Sequence, residues 1–470
     1  MVSAVAAGSV VQIIATALSL MLATCCVNAE DYDSRLWRVT GDELHGESYI
    51  YGTWNSRDTR AFTFDNAVFK AFDACEFLAL EALPDSMSSE FVKLLTGERT
   101  APGDVQMERA LGEAEFKLIA GMMKQYANVN RDELGQYSPV GLEYTFEQAV
   151  CEQTYPYAPT TFFYGYARTR GMEIMGLEPA ELHVSALEYS HSLKRWQNCT
   201  VFFQRYQGRP NLTSDVLERY ARGDVGEAVN IMSEFATPDE EDQWRGTRQR
   251  NTRMAQHALD LMRQQPTFMA VDAMRLTGPI GLINNLRELG CNVEAIPENK
   301  DKPARTQIVN PEAYEWPVYA DSLAQIAFAM PHEPARVMPE KFKLPDELHA
   351  RSMLSVDTEN ACIYMVIIMG IPGMENGGTV SASVLSSANK SMLAGMNKSD
   401  SSAAPWVTRA ATIGGYPALS NKGRMADVNK PAEVVNLMSP GHLVMLIAIA
   451  FRANDYKGFE RFFDSVQGIR

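Results

Sequence analysis

Carboxylate, amide and guanidinium side chains stand directly after short apolar segments of this chain. Asp272 and Arg275 follow the segment 268–271, and Asn55 follows the segment 49–51. Carboxylate and amide oxygens are ligands for hard cations, whereas a guanidinium is a permanent cation that binds carboxylate or phosphate. In open α/β sheets, ligands lie at the carboxyl ends of the strands. These residues therefore predict one polar pocket at a sheet edge.

The segments around these residues have the pattern of an α/β fold. Residues 268–271 predict a buried strand, Pro279 to Leu289 a helix that Gly290 ends, and residues 292–296 a further strand. This order predicts a parallel βαβ unit. Upstream, a capping box at 237–240 starts a helix that reaches about residue 265, and Asn251 lies on its apolar stripe. We therefore expect Asn251 to face the core. Residues 65–75 and 105–126 also predict helices.

Two segments resemble the two halves of the TraB/GumN family. The first runs from Leu36 through Asn55 to Glu81, and the second from Arg250 to Ile296, with Gly278-Pro279 at the family's spacing. Glu178 ends a Gly-Leu-Glu segment that looks like the family's central strand. The resemblance covers roughly residues 35–297. It implies a two-half α/β domain with a central mixed sheet and surrounding helices, and metal-dependent hydrolysis like that of the animal TIKI proteases.

The chain departs from the family at the positions that carry its chemistry. Each half of the family places a histidine of a G-x-x-H motif at the end of a core strand, and the two histidines bind a metal. Here Asn55 and Arg275 stand at those positions, and Asp272 replaces the motif glycine, whereas four other motif residues match. Arginine has no lone pair for a metal. A divalent ion about 4 Å from Arg275 would meet a repulsion of roughly 8 kcal/mol at an effective dielectric near 20. We therefore expect no metal at the ancestral site and no cofactor. The matching residues are Glu81, Glu178, Arg250 and Asn251.

Three roles are open for Arg275. It can form a buried ion pair with Asp272, Glu81 or Glu178 that replaces the charge of the metal, or it can bind a small carboxylate or phosphate together with Arg250. Alternatively, Asn55, Glu81 and Asp272 hold a divalent metal elsewhere in the pocket. The seven histidines show no paired ligand spacing, and His183 is expected on a solvated helix face.

Three functions follow from these roles. The first is a catalytically inactive relative of metal-dependent hydrolases that binds an unknown protein partner or a small anion. The alternative is a divergent metal-dependent peptidase or other hydrolase that uses Asn55, Glu81 and Asp272. A third hypothesis makes the chain an interaction module of the cell envelope. The net charge of −15 argues against nucleic acid as a partner.

Length and proline distribution predict more than one domain. The 470 residues exceed what one hydrophobic core usually organises, and eight of the 23 prolines lie between Pro297 and Pro345. An apolar run at 10–22 precedes the cleavage-like site Val27-Asn28-Ala29, which predicts secretion or a periplasmic or cell-envelope location. Membrane contact is expected only if this segment is an uncleaved anchor. We predict a signal peptide or anchor at 1–29, the TraB/GumN-like domain at 30–300, a proline-rich linker at 301–323 and a smaller C-terminal α+β domain at 324–470.

The C-terminal region and the cysteines give weaker indications. Alternating patterns predict antiparallel strands at 325–330, 361–369 and 442–451. Residues 380–396 and 456–466 are expected to be helical. Five cysteines follow residue 29, and an odd number does not define a disulfide framework. Cys151 with Cys199 is one pair that the sequence allows.

Overall fold

A computed structural model describes residues 34–95, 107–152, 154–188, 193–235, 240–297, 315–337, 348–374, 381–396, 406–425, 430–451 and 457–469. These residues group into two compact units: an N-terminal unit with residues 34–86 and 107–297, and a C-terminal unit with residues 87–95 and 316–469. The predicted signal peptide or anchor, residues 301–314 of the predicted linker and most of the capping box at 237–240 lie outside the described residues. Within the described ranges, no helix combines the length and apolar character needed to cross a bilayer.

A six-stranded mixed sheet organises the N-terminal unit and confirms the predicted α/β fold. Its spatial order is β4-β3-β5-β2-β1-β6, and β2, β5, β3 and β4 run parallel to one another. Only β1 is antiparallel to its neighbours β2 and β6. The strands are β1 (Leu36–Thr40), β2 (Ser48–Thr53), β3 (Phe77–Leu80), β4 (Glu173–Gly176), β5 (Thr267–Asp272) and β6 (Asn292–Ala295).

Helices separate most of these strands along the chain. They are α1 (Asn66–Asp73), α2 (Pro84–Leu95), α3 (Met107–Ala110), α4 (Glu113–Ala127), α5 (Pro139–Val150), α6 (Pro159–Thr169), α7 (Ala180–Glu188), α8 (Leu193–Gly208), α9 (Leu212–Ala221), α10 (Val225–Phe235), α11 (Glu240–Met262) and α12 (Leu282–Glu288). Asp65 caps α1 by accepting from Ala67 N at 2.9 Å. The single helix predicted over 105–126 is wrong, because Gly112, in an extended conformation, caps α4 and separates it from α3.

Helices α3, α4, α5, α8, α9 and α10 form a layer at the carboxyl edge of the sheet. Their apolar core includes Ala273 and Met274, the two residues that come directly after β5. Trp54, just beyond β2, packs against the same core, and Tyr220 Oη donates a hydrogen bond to Gly52 O at 2.7 Å. A second core forms between the sheet and α11 and α12. The carboxyl ends of β2 and β5 are therefore covered by helices.

The predicted βαβ unit is present, although its two strands are not neighbours. Strands β5 and β6 run in the same direction and α12 connects them, but β2 and β1 lie between them in the sheet. Gly290, with φ of 91°, follows the end of α12 in the left-handed region. The prediction that this glycine ends the helix is confirmed.

The C-terminal unit has an α+β architecture, as predicted. A seven-stranded antiparallel sheet has the order β12-β13-β14-β15-β11-β10-β9, and β16, β8 and β7 form a smaller sheet. The elements are β7 (Val318–Asp321), β8 (Ile326–Ala329), β9 (Ala335–Val337), β10 (Arg351–Asp357), β11 (Cys362–Gly370), α13 (Ala382–Met396), β12 (Val407–Ile413), β13 (Tyr416–Met425), β14 (Lys430–Ser439), β15 (His442–Ala450), α14 (Lys457–Asp464) and β16 (Gln467–Gly468). Strands β8, β11 and β15 and helices α13 and α14 confirm the predicted segments.

The pairing of Cys151 with Cys199 is wrong. Both cysteines are free, as are Cys75, Cys291 and Cys362. Cys199 is buried on α8, where its thiol lies 3.5 Å from Pro139 O.

Candidate functional site

The sheet register brings the carboxyl ends of four parallel strands to one edge. Thr53 pairs with Asp272 across β2 and β5, and Leu80 pairs with both Ala270 and Gly176 across β3, β5 and β4. Asp272 belongs to one of these pairs, and Asn55, Glu81 and Glu178 follow the pairs within two residues. The edge therefore carries, in spatial order along the sheet, Glu178, Glu81, Asp272 and Asn55.

Arg275 makes a buried contact with Glu81, one of the three carboxylates that the sequence indicated as candidate ion partners. A 3-10 turn at Ala273–Arg275 follows β5, and Asp272 caps it by accepting from Met274 N at 2.7 Å. Arg275 Nε lies 2.7 Å from Glu81 Oε2, and the side chains are 4% and 9% exposed. The N–H does not point at the oxygen, so the contact is ionic rather than a well-formed hydrogen bond. Glu81 Oε1 accepts from Asp272 N at 3.0 Å.

A second ion pair joins Glu178 to Arg250 on α11. The Arg250 guanidinium donates to both Glu178 oxygens, with Nε at 2.9 Å from Oε2. His183 Nδ1 lies 2.8 Å from Glu178 Oε1 and is buried, so the prediction that this histidine lies on a solvated helix face is wrong. Burial opposes ionisation of Glu178, but the hydrogen bonds from His183 and Arg250 outweigh it and hold the pKa far below its ordinary value.

Asn251 links α11 to the turn that carries Arg275. Its Oδ1 accepts from Arg275 Nη1 at 3.4 Å, and its Nδ2 donates to Ile280 O at 2.8 Å. The side chain is almost fully buried, which confirms that it faces the core. The backbone N–H of Glu178 donates to Glu81 O at 2.9 Å, which joins the two ion pairs. Six of the seven site residues inferred from the sequence thus form one buried cluster: Glu81, Glu178, Arg250, Asn251, Asp272 and Arg275. Asn55 is partly exposed at the same sheet edge.

Asp272, in this cluster, and Glu147, beside it, have buried carboxyl groups that favour their neutral forms. Burial, and then the charge of Glu81, raise the pKa of Asp272 to about 8. Glu147 on α5 retains some exposed surface, yet burial of its carboxyl, followed by the charges of Glu143 and Asp272, also raises its pKa to about 8. Both groups are therefore protonated at neutral pH, which limits the negative charge of the site.

These pKa values predict that the stability of the protein falls as pH rises from 5 to 8. The folded state holds two protons that the unfolded chain releases above about pH 4, so each carboxyl can contribute a loss of up to about 1.4 kcal/mol per pH unit. Asp272→Asn removes one of these protons and should flatten the slope of unfolding free energy against pH. Chemical denaturation at several pH values measures it. Asp260→Asn, an exposed position on α11, is the matched control and should leave the slope unchanged. Equal slopes for Asp272→Asn and the wild type would refute the assignment.

The cluster also contains groups of metal-ligand type. In the part of the chain that the structure describes, ligand atoms of Glu81, Glu178 and His183 all lie within 4.8 Å of one another. However, Arg275 is ion-paired with Glu81, and Arg250 occupies both oxygens of Glu178. A divalent ion would have to displace two permanent cations, and it would still lie close to their charges. The residues present do not fit a divalent metal.

Two residues of the site were missed by reasoning from the sequence. His183 lies five residues after Glu178, on the first turns of α7, and no ligand spacing marked it. Glu147 follows Glu143 by one helical turn on α5, so two carboxylates share an apolar helix face. Two carboxylates four residues apart repel each other, and this pair was the signal that the helix face contacts a basic residue. That residue is Arg195 on α8, which forms an ion pair with Glu143.

A model of a known protein family matches the N-terminal part of the chain. The model of the TraB/PrgY/gumN family matches residues 35–295, and no curated protein matches. The matched residues run from β1 to the last residue of β6 and include every residue of the buried cluster.

Proposed function

Because the chain belongs to the TraB/PrgY/gumN family, we propose that it is an exported, catalytically inactive member that acts by binding a protein partner or a small anion. The observation that carries this proposal is the 2.7 Å contact between Arg275 Nε and Glu81 Oε2. A guanidinium stands where the family resemblance expects a metal-binding histidine. It neutralises a carboxylate that would otherwise be a metal ligand.

Charge balance supports the loss of metal chemistry. The two buried guanidinium groups, Arg250 and Arg275, compensate two buried carboxylates, Glu178 and Glu81. Buried ion pairs of this kind are stable only when both partners stay in place. Without a bound metal the site lacks the Lewis acid of the family's hydrolysis, and a binding role is the simplest use of the buried charged cluster.

Export rests on the N-terminal sequence. The apolar run at 10–22 followed by Val27-Asn28-Ala29 has the pattern of a secretory signal. Cleavage after Ala29 gives a secreted or periplasmic protein, and retention of the segment gives an anchored one. The partner is then expected in the cell envelope or outside the cell.

Metal analysis of the purified wild-type protein tests this function. We expect far less than one equivalent of zinc, manganese or cobalt after dialysis, because Glu81 and Glu178 each already have a cationic partner. Elemental analysis by mass spectrometry measures the content. Glu81→Gln serves as the control, since any metal held by the cluster should be reduced in that variant. Bound metal near one equivalent in the wild type that falls in Glu81→Gln would contradict the proposal.

One observation favours the alternative, a divergent hydrolase that uses Asn55, Glu81 and Asp272. Asp272, with a pKa of about 8, is protonated at neutral pH, and its backbone N–H donates to Glu81 Oε1 at 3.0 Å. A carboxyl group that is protonated at neutral pH is suited to act as a general acid. Peptidase activity that is lost in Asp272→Ala and retained in Asp260→Asn would support the hydrolase.

A further inference from the structure

Strand β12 leaves one edge of the seven-stranded sheet unpaired among the described residues. It is an end strand of that sheet, and β13 pairs with its inner side. The other end strands of the three sheets have two to four residues, whereas β12 has seven. An edge of this length presents a row of backbone N–H and C=O groups with which a further strand can pair.

The turn between β12 and β13 shows which backbone groups of β12 face outward. Gly414 and Gly415 have φ of 59° and 85°, as in a type I′ turn. The residues on either side of such a turn, Ile413 and Tyr416, form a hydrogen-bonded pair. In an antiparallel ladder, these pairs alternate with pairs whose N–H and C=O groups point away from each other. The outward groups of β12 therefore belong to three exposed residues, Thr408, Ala410 and Thr412.

Strand β12 has few of the features that protect exposed sheet edges. Its seven register pairs with β13 run without a bulge, and it contains no proline or glycine. Its one charged side chain is Arg409, which is exposed and has no ion-pair partner among the described residues. The β-branched residues that favour a paired strand are Val407, Thr408, Thr412 and Ile413.

Charge indicates what kind of strand fits this edge. Residues 406–425, which form the hairpin, contain three basic side chains and no acidic one, in a chain with a net charge of −15. Lys422 is compensated by Glu433 on β14 at 3.1 Å, whereas Arg409 is not compensated within the described ranges. Two copies of β12 paired antiparallel about Ala410 would bring their arginines close together on one face, which is unfavourable. The edge is therefore complementary to an acidic strand rather than to a second copy.

We propose that the outer edge of β12 binds an extended acidic segment of a partner protein as an additional strand. The backbone of the segment pairs with Thr408, Ala410 and Thr412, and a carboxylate of the segment forms an ion pair with Arg409. Backbone pairing supplies affinity, and the ion pair selects the segment. The inference goes beyond the proposed function, because it uses a surface of the C-terminal unit and no residue of the buried cluster.

Binding of synthetic peptides to the full chain tests this proposal. The probe is a labelled and blocked peptide, TVEVEVT, which matches the length of β12 and has both glutamates on one face. TVKVKVT has the opposite charge, and TVEVEVT with N-methylated backbone amides lacks the N–H donors of a strand. We expect saturable binding of TVEVEVT by fluorescence anisotropy and binding at least about tenfold weaker for both control peptides. Bound TVEVEVT should also slow hydrogen exchange in β12.

Variants of β12 assign the binding to this edge. Arg409→Glu should bind TVEVEVT at least about tenfold more weakly and should gain binding of TVKVKVT, because the charge facing the peptide is reversed. Ala410→Pro should weaken binding of TVEVEVT by about tenfold, since it removes an outward N–H that makes no bond within the hairpin. Arg336→Glu changes an exposed arginine on β9, at the opposite edge of the sheet. It is the matched control and should bind TVEVEVT as the wild type does.

Three results would overturn the inference. They are equal binding of TVEVEVT and TVKVKVT, no binding of either peptide, and unchanged binding of TVEVEVT in Arg409→Glu. A dimer in light scattering that Ala410→Pro disrupts would show that the edge binds a second copy, which also overturns it. If Ala410→Pro does not fold, the reversed peptide preference of Arg409→Glu decides. None of these results depends on the metal content of the buried cluster, so the proposed function stands or falls separately.

Discussion

Replacing Arg250 with methionine should lower the free energy of unfolding by about 3–5 kcal/mol. The Glu178 side chain has no exposed surface and receives hydrogen bonds from Arg250 at both oxygens. Without Arg250, the carboxylate keeps only the His183 contact in a buried environment. It must then remain as a poorly compensated charge or take up a proton, and either change costs stability. Chemical denaturation at pH 7 measures the loss.

Two comparisons make this prediction specific. Arg250→Met/Glu178→Gln removes both charges and should recover a large part of the lost stability, because no buried ion is left unpaired. Arg263→Met lies near the end of the same helix and breaks exposed pairs with Glu43 and Asp260, so it should cost about 0–1 kcal/mol. Equal free energies of unfolding for Arg250→Met and Arg263→Met would show that the buried ion pair between Arg250 and Glu178 does not stabilise the fold more than an exposed pair does.

Local patterns were sufficient to predict the elements that carry the site. The apolar segment that ends before Asp272, the helix predicted at 65–75 and the glycine after α12 depend on residues close together in sequence. The burial of Asn251 also follows from local periodicity, because its place on the apolar stripe of α11 fixes the direction of the side chain. Because ligands in open α/β sheets lie at the carboxyl ends of the strands, these patterns also allowed the polar residues to be placed at one edge of the sheet.

The identity of the ion partners depends on strand order, which local patterns do not determine. Glu81 and Arg275 are far apart in the chain and meet because β3 and β5 are neighbours in the sheet. Asp272 is closer to Arg275 in sequence, but it is occupied as the cap of the intervening turn. The environment of His183 was missed for a related reason. Its exposure depends on how α7 packs against Arg250, 67 residues later in the chain.

Much of the C-terminal sheet was also absent from the prediction. Strand β14 is buried along its whole length, including Lys430 and Glu433, so its sequence lacks the alternation of apolar and polar residues that marks a half-exposed strand. Asn421 and Asn436 interrupt the apolar pattern of β13 and β14. They are buried because Asn389 on α13 hydrogen-bonds to both, and a sequence pattern does not reveal such a partner.

Replacing Asn55 and Arg275 together with histidine should give the protein a metal-dependent increase in stability. The pairing of Thr53 with Asp272 places the two positions at one edge of the sheet, two and three residues beyond that pair. The change adds two imidazole ligands, removes the cation beside Glu81 and frees its carboxylate. At a metal concentration of about 100 times Kd, binding would add about 2.7 kcal/mol to the free energy of unfolding.

Thermal melting with zinc or manganese, each compared with chelator, measures this gain. Asn55→Gln/Arg275→Met is the matched control, because it changes the same positions, removes the same cation and adds no imidazole. It should show little metal response, and each single histidine variant should respond less than the double variant, since half the new ligands are missing. A folded double variant without a metal-dependent shift would mean that residues 55 and 275 do not face a common space. The ends of β2 and β5 would then lie at the same edge of the sheet without forming a common site. In that case the absence of histidines at positions 55 and 275 could not explain the proposed loss of metal binding.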